Sequence, residues 1–330
     1  MRYRIEMKKS HKIILSVAAI CLLGLCVWLG CRAFMRSDAS ERSVPLSQMQ
    51  AVYDPALRVP AQVSGIGVLS GGDCCQLSTS GVLRVASETV QSTVTSMLPA
   101  DDGVLYTVDR TLFYAQREKS TKIAENVTAF TANSGKILYC TTERELFSYE
   151  SGRSTRLTVL PDDAFTRQIF AWEDHVVLTT SGGIYVSVDG GDYVMADLLY
   201  GTPQQFFMYG DYLVIVGDGP SGAIVYDVQL QTVQELDLGW YACEHNNQIA
   251  VASDGQWLYL SLYSEIWPQF DREFHTATYR IDPKTWTAEQ LSAEFYPGLV
   301  CGKDALYGIK KIGATSAGEC ILVADREVNE

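Results

Sequence analysis

From about residue 65 onward, short runs of branched and aromatic residues come in pairs, each pair divided by a polar break. The pairs are DCCQLSTSGVLRVAS from Asp73, GVLYTVDRTLFYAQ from Gly103, GKILYCTTERELFSYE from Gly135, DHVVLTTSGGIYVSV from Asp174 and DYLVIVGDGPSGAIVYD from Asp211. They continue as QWLYLSLY from Gln256 with TATYRID from Thr276, and DALYGIKK from Asp304 with ECILVAD from Glu319. Runs of this kind read as β-strands joined by tight turns. Their starts recur at intervals of roughly 30 to 48 residues, the length of a four-stranded propeller blade. If the two runs are a blade's second and third strands, fourth strands fall at Ser120–Ala124, Thr155–Leu160, Tyr193–Asp197, Val233–Leu238 and Trp286–Leu291. Helical periodicity is scarce after position 50, although Asp162–Phe170 reads as a short helical turn. The pattern predicts an all-β propeller of seven blades, with six and eight left open because the first unit is the weakest. Residues 51–64, with a final strand near Ile321–Ala324, are expected to close the ring.

The N-terminal end follows other rules. Ile13–Gly30, IILSVAAICLLGLCVWLG, holds no charged residue, and as a helix it would span roughly 27 Å, enough to cross a bilayer. Arg2, Arg4, Lys8, Lys9 and Lys12 precede it against the single acid Glu6, which predicts a cytoplasmic N-terminus and an exported C-terminal part. The expected division is a basic tail at 1–12, a transmembrane signal anchor at 13–31, a polar stalk at 32–50 and the propeller at 51–330. A lipoprotein is the alternative, since Leu29-Gly30-Cys31 has the end of a lipobox; Trp28 stands where that motif usually carries leucine.

Charge then narrows the partners. The chain has 26 Lys and Arg against 39 Asp and Glu, formally −13. Seven of the cations and one of the acids lie before position 37, so the remainder holds 19 cations against 38 anions, formally −19. Without a basic tract, such a domain repels nucleic acid. Outside the anchor stand Cys74, Cys75, Cys140, Cys243, Cys301 and Cys320, with no CxxC pair and no zinc spacing; they read as small core residues, Cys74 and Cys75 pointing to opposite faces of a strand.

The pairs Leu105-Tyr106, Leu138-Tyr139, Leu258-Tyr259 and Leu306-Tyr307, followed by runs such as LFSYESG, give residues 65–325 a resemblance to a known family. They resemble the low-density-lipoprotein-receptor-like (YWTD-like) propeller domains of unknown function on Gram-positive surface proteins, though no blade carries the YWTD tetrapeptide. The resemblance implies anchorage and exposure, and no known reaction.

Candidate chemistry is sparse. Ser187-x-Asp189-x-Gly191, followed by Tyr193, resembles the Asp-box of sialidases, with Val194 where tryptophan is usual. Its residues suit a hairpin turn, Ser and Asp bonding backbone groups while Gly190 and Gly191 permit positive φ. It is expected between a third and a fourth strand, on the face opposite the second-to-third loops where propellers usually place their sites. Gly217-Asp218-Gly219-Pro220-Ser221-Gly222 matches GxGxxG but precedes the strand-like AIVYD instead of a helix, so it reads as a hairpin loop. No GxSxG, HExxH or P-loop occurs, and no catalytic residue, cofactor or metal is expected.

One second-to-third connection is too long for a hairpin: YSEIWPQFDREFH, Tyr263–His275. Its candidate ligand-binding residues are Tyr263, Trp267, Phe270, Asp271, Arg272, Phe274 and His275, aromatic rings to stack on a sugar or protein and polar groups to orient it. The competing reading is a plug for the toroid's mouth. Asp271, Glu273 and His275 alternate, so a strand would align them on one face. The sequence therefore predicts a membrane-anchored, extracytoplasmic propeller that binds an envelope protein or glycan. A carbohydrate-active enzyme and a structural scaffold are the alternatives.

Overall fold

The computed structural model describes residues 43–46, 49–86, 88–116, 119–133, 135–161, 165–196, 205–217, 222–239, 248–266, 273–309 and 319–325. The expected tail, the membrane segment and Cys31 lie outside them; among the described residues no helix is long and apolar enough to cross a membrane. The compact unit begins at Ser43.

The chain forms seven antiparallel sheets, the blades of a β-propeller. Blades 1 to 7 occupy residues 65–91, 96–124, 127–159, 166–195, 205–237, 248–292 and 298–325. Within these ranges, strands run in sequence order from the axis outward, and blades 5 and 7 each gain a strand from the chain before residue 65. The second strands are apolar on both faces because each is sandwiched between neighbouring blades. In Tyr212–Val216, Leu213 and Ile215 pack with blade 4 while Val214 and Val216 pack with blade 6. A strand buried on both faces reads as a continuous apolar run, the signal that located these strands. Fourth strands are mostly solvated, as in Arg153–Val159 and Thr232–Asp237. The core is accordingly a ring of apolar clusters, one between each pair of successive blades.

The Leu-Tyr pairs have a physical reason. Tyr106 and Tyr139, on the second strands of blades 2 and 3, stack on Phe113 and Phe147 of the third strands at 5.3 and 5.2 Å. Their hydroxyls reach Ser120 and Ser154 of the fourth strands at 2.7 and 2.8 Å. One side chain thus ties three strands together through ring stacking and a satisfied hydroxyl.

Two sequence expectations are corrected. Thr166–Trp172 is the first strand of blade 4, not a helical turn; Ile169 and Ala171 face blade 3, and Phe170 and Trp172 face blade 5, so burial on both faces overrides the local polar start. Ring closure uses Ser43–Pro45, within the expected stalk, which pairs as the outermost strand of blade 7 with Glu319–Ile321; Leu46 follows it into the cluster between blades 7 and 1. Residues 51–64 instead form a strap across the central channel. It leaves blade 7 at the Ala51–Gly302 bridge, adds Leu57–Arg58 to the inner edge of blade 5, and reaches the inner strand of blade 2 at the Gln62–Met97 bridge. Unpaired backbone groups of inner strands face the channel, and the strap satisfies some of them.

Candidate functional site

The strap divides the channel into two chambers. The lower, about 330 Å³, opens toward the first-to-second turns. Asp54 shapes the strap there: its Oδ1 accepts the Ala56 amide at 2.9 Å and its Oδ2 accepts the Ser253 hydroxyl. Arg58 donates through Nη1 to the carbonyls of Ala56 (3.2 Å) and Gly210 (3.3 Å) and lies over the Trp172 ring at 5.5 Å. Trp172 Nε1 in turn donates to Asp211 Oδ1 at 2.7 Å. Burial lowers the Arg58 pKa from its ordinary value, with Asp211 opposing the shift; burial raises that of Tyr53, and the nearby Asp101 adds to it. These groups clamp the strap to blades 4, 5 and 6.

The upper chamber, about 310 Å³, opens toward the second-to-third loops. Val59–Ser64 of the strap form part of its wall, with Phe206, Phe295 and Pro297 supplying apolar surface. Besides Ser64, its polar side chains are carboxamides: Gln168, Gln205 and Gln248, from the inner strands of blades 4, 5 and 6, and Gln62 from the strap. No charged residue is among its described lining. Gln168 and Gln205 occupy equivalent places, each four residues before the last pair of its first hairpin, Trp172–His175 and Tyr209–Tyr212. Gln168 Oε1 is buried without a hydrogen-bond partner.

The long connection of blade 6 adjoins this mouth. Most of what the sequence presents as a loop is strand: Leu258–Ile266 pairs with Glu273–Asp282, from Leu258–Ile281 up to Ile266–Glu273. Gln248 pairs with Tyr263, so the amide wall and the hairpin are one sheet. Tyr263 packs against Phe274 and Phe295, ring centroids 5.8 Å apart in both cases, and Phe274 remains 55% exposed. Trp267, Phe270, Asp271 and Arg272 lie outside the described residues.

His275 faces inward. Its Nε2 is 3.1 Å from the Tyr279 hydroxyl, which itself donates to the Leu238 carbonyl at 2.9 Å. That hydroxyl has one proton to give, so it accepts from His275 Nε2–H. Burial lowers the His275 pKa from its ordinary value. The side chain sits near the far end of the hairpin's ladder, opposite Ser264, and among the described residues no cluster could hold a metal ion.

The Asp-box-like stretch turns a corner between the third and fourth strands of blade 4, Ile184–Ser187 and Val194–Met195. Positive φ falls on Asp189 (53°) and Gly190 (68°), one residue earlier than expected, and Gly191 N donates to the Val188 carbonyl at 2.9 Å. Ser187 Oγ donates to the Gly191 carbonyl at 2.7 Å. Asp189 points across to His175, 3.7 Å away, instead of capping its own turn. Gly217 follows the strand Tyr212–Val216 and Gly222 opens the strand Gly222–Asp227 that pairs with it, so a strand stands where a pyrophosphate site needs a helix.

Sequence reasoning missed the amides and the strap. A signal was present: QIFAW from Gln168, QFFMY from Gln205 and QIAVA from Gln248 each set a glutamine before an apolar run. These are first strands, the ones that the spacing of paired runs does not locate.

No protein-family model matches the chain, and no curated protein matches it. Solved structures do. The extracellular domain of a one-component system from B. thetaiotaomicron aligns over 87% of this chain and 44% of its own, with TM-score 0.56 and 14% identity. A GH74 enzyme from Niastella koreensis aligns over 82% of this chain and 44% of its own, with TM-score 0.51 and 14% identity. The chain spans less than half the length of these two structures, and at such identity the likeness extends to the fold: this is a seven-bladed β-propeller.

Proposed function

We propose that the domain is an extracytoplasmic recognition module, tethered by residues 13–31, that binds an envelope protein or glycan at the face carrying the second-to-third loops. The observation that carries this is the continuity of the Tyr263–Phe274–Phe295 aromatic group with an amide-lined chamber whose described lining carries no charge. Exposed rings beside a concave site with a few orienting polar groups suit recognition. The described lining of that chamber holds no carboxylate, and so offers no acid pair of the kind that glycoside hydrolysis uses. Trp267, Phe270, Asp271 and Arg272 extend the candidate surface by sequence, and the Leu-Tyr repeats support kinship with receptor-like surface domains of Gram-positive bacteria. The reading is tested by glycan arrays and cross-linking capture from envelope extracts with the full chain. The expected result is a partner held by the parent and lost with Phe274→Ala or Trp267→Ala; equal capture by all three contradicts it.

A scaffold role has its own supporting observation. Leu157 and Val159, on the outermost strand of blade 3, are 49% and 53% exposed, and they line a rim groove of about 900 Å³ with Tyr185 and Tyr193 of blade 4. Exposed apolar surface on a rim is what an assembled complex would cover. Capture lost with Leu157→Asp and kept with Phe274→Ala would favour it.

A further inference from the structure

We infer that the upper chamber takes one neutral sugar residue, the free end of a glycan chain, gripped by the carboxamides of Gln168, Gln205 and Gln248. The inference rests on the recognition reading above and narrows it to a ligand chemistry and a subsite.

Hydrogen-bonding character comes first. A carboxamide both donates and accepts, as a sugar hydroxyl does, so amides match hydroxyls without either side carrying charge. Gln168 and Gln205 recur at equivalent strand positions and Gln248 extends the set to a third successive blade, with Gln62 opposite on the strap. The buried, unpartnered Oε1 of Gln168 is an acceptor whose desolvation nothing in the fold compensates; a bound hydroxyl would do so.

Charge decides between sugar classes. In a domain of formal charge −18, a chamber without a cation in its described lining offers a uronate, a sialic acid or a phosphate no counter-charge, and the surrounding field opposes its entry. Neutral hexoses and N-acetylhexosamines meet no such penalty. Phe295 and Pro297 supply apolar surface for the C–H face of a pyranose ring.

Size and closure decide how much of a chain enters. About 310 Å³ is at the small end of ligand sites, which run from roughly 300 to 1,000 Å³. The strap, from the Leu57–Arg58 pairing to the Gln62–Met97 bridge, crosses the channel beneath it. A ring enters end-on, and the rest of the glycan leaves past Tyr263 and Phe274.

The test is saturation-transfer NMR on the full chain in a non-glycosidic detergent. Its probes are methyl glycosides of neutral hexoses and N-acetylhexosamines, glucuronate and sialic acid, and oligosaccharides bearing any responding sugar at the free or the reducing end. The expected result is saturation of at least one neutral glycoside and of its free-end oligosaccharide, weakened tenfold or more by Gln168→Leu and by Gln205→Leu. The isosteric Gln168→Glu, which keeps the side-chain volume, should weaken it equally. Stronger binding of the anionic sugars, or neutral binding untouched in all three variants, overturns the inference. So does silence from every neutral glycoside while envelope capture persists through Phe274, an outcome that leaves the recognition reading standing.

Discussion

At Arg58 a single guanidinium joins three parts of the molecule, because it bonds the strap's own Ala56 carbonyl, the Gly210 carbonyl of blade 5, and the Trp172 ring of blade 4. Arg58→Ala removes charge-assisted hydrogen bonds and a ring contact, so a loss of about 1–3 kcal/mol is expected, read as a lower urea midpoint; an unchanged midpoint would mean that the strap is held elsewhere. The cysteines act at the same scale. Burial pushes the thiols of Cys74, Cys75 and Cys320 up to about 12 and that of Cys140 up to about 11, from an ordinary 9.0. A raised folded pKa means that the unfolded chain ionises first. Stability from these thiols is therefore complete below about pH 9 and is lost progressively as pH rises toward 12. Urea midpoints measured from pH 7 to pH 11 should fall beyond pH 9, and substituting these cysteines with alanine should flatten that fall. Cys74 and Cys75 point to different interfaces, between blades 7 and 1 and between blades 1 and 2, as strand alternation requires.

Among the elements, the ring closure and the turn of blade 4 behave differently under change. A chain starting at Val52 lacks both the Ser43–Pro45 pairing and the buried Leu46. Compared with one starting at Ser43, it should lose about 3 kcal/mol and melt roughly 6–12 °C lower. Equal melting temperatures would show that the closing strand is dispensable. At Gly190, an added Cβ would meet nothing within 4 Å, but φ is +68°. Gly190→Ala therefore tests backbone conformation alone, with an expected cost of about 1 kcal/mol in unfolding free energy and no change in ligand capture. Second and third strands, and the fourth strands of blades 2 to 6, were legible in the sequence because double-sided burial writes long apolar runs and solvated rims write polar ones. First strands were not, because several start with polar residues at the mouth, as at Thr166-Arg167-Gln168. The closing strand was hidden for another reason: SVP has neither length nor alternation, and its place is set by pairing with Glu319–Ile321 far along the chain.

For the whole molecule, a negative domain keeps charge out of the described lining of its upper chamber and places Arg58 below, where the charges of Asp211 and Asp54 favour its cation. The strap separates these environments, which is why neither chamber was visible from spacing: each gathers residues from several blades. The hairpin of blade 6 was legible as an oddity of length, although its strands run further than its polar composition suggests. The central claim, that recognition occurs at the upper face, is tested most directly by hydrogen exchange on the full chain with and without the partner captured from envelope extracts. Protection should concentrate at residues 59–64, 205–207, 248–250 and 263–266. Protection confined to the lower turns near Asp101 and Ser253, or to the rim strand Arg153–Val159, would contradict the account.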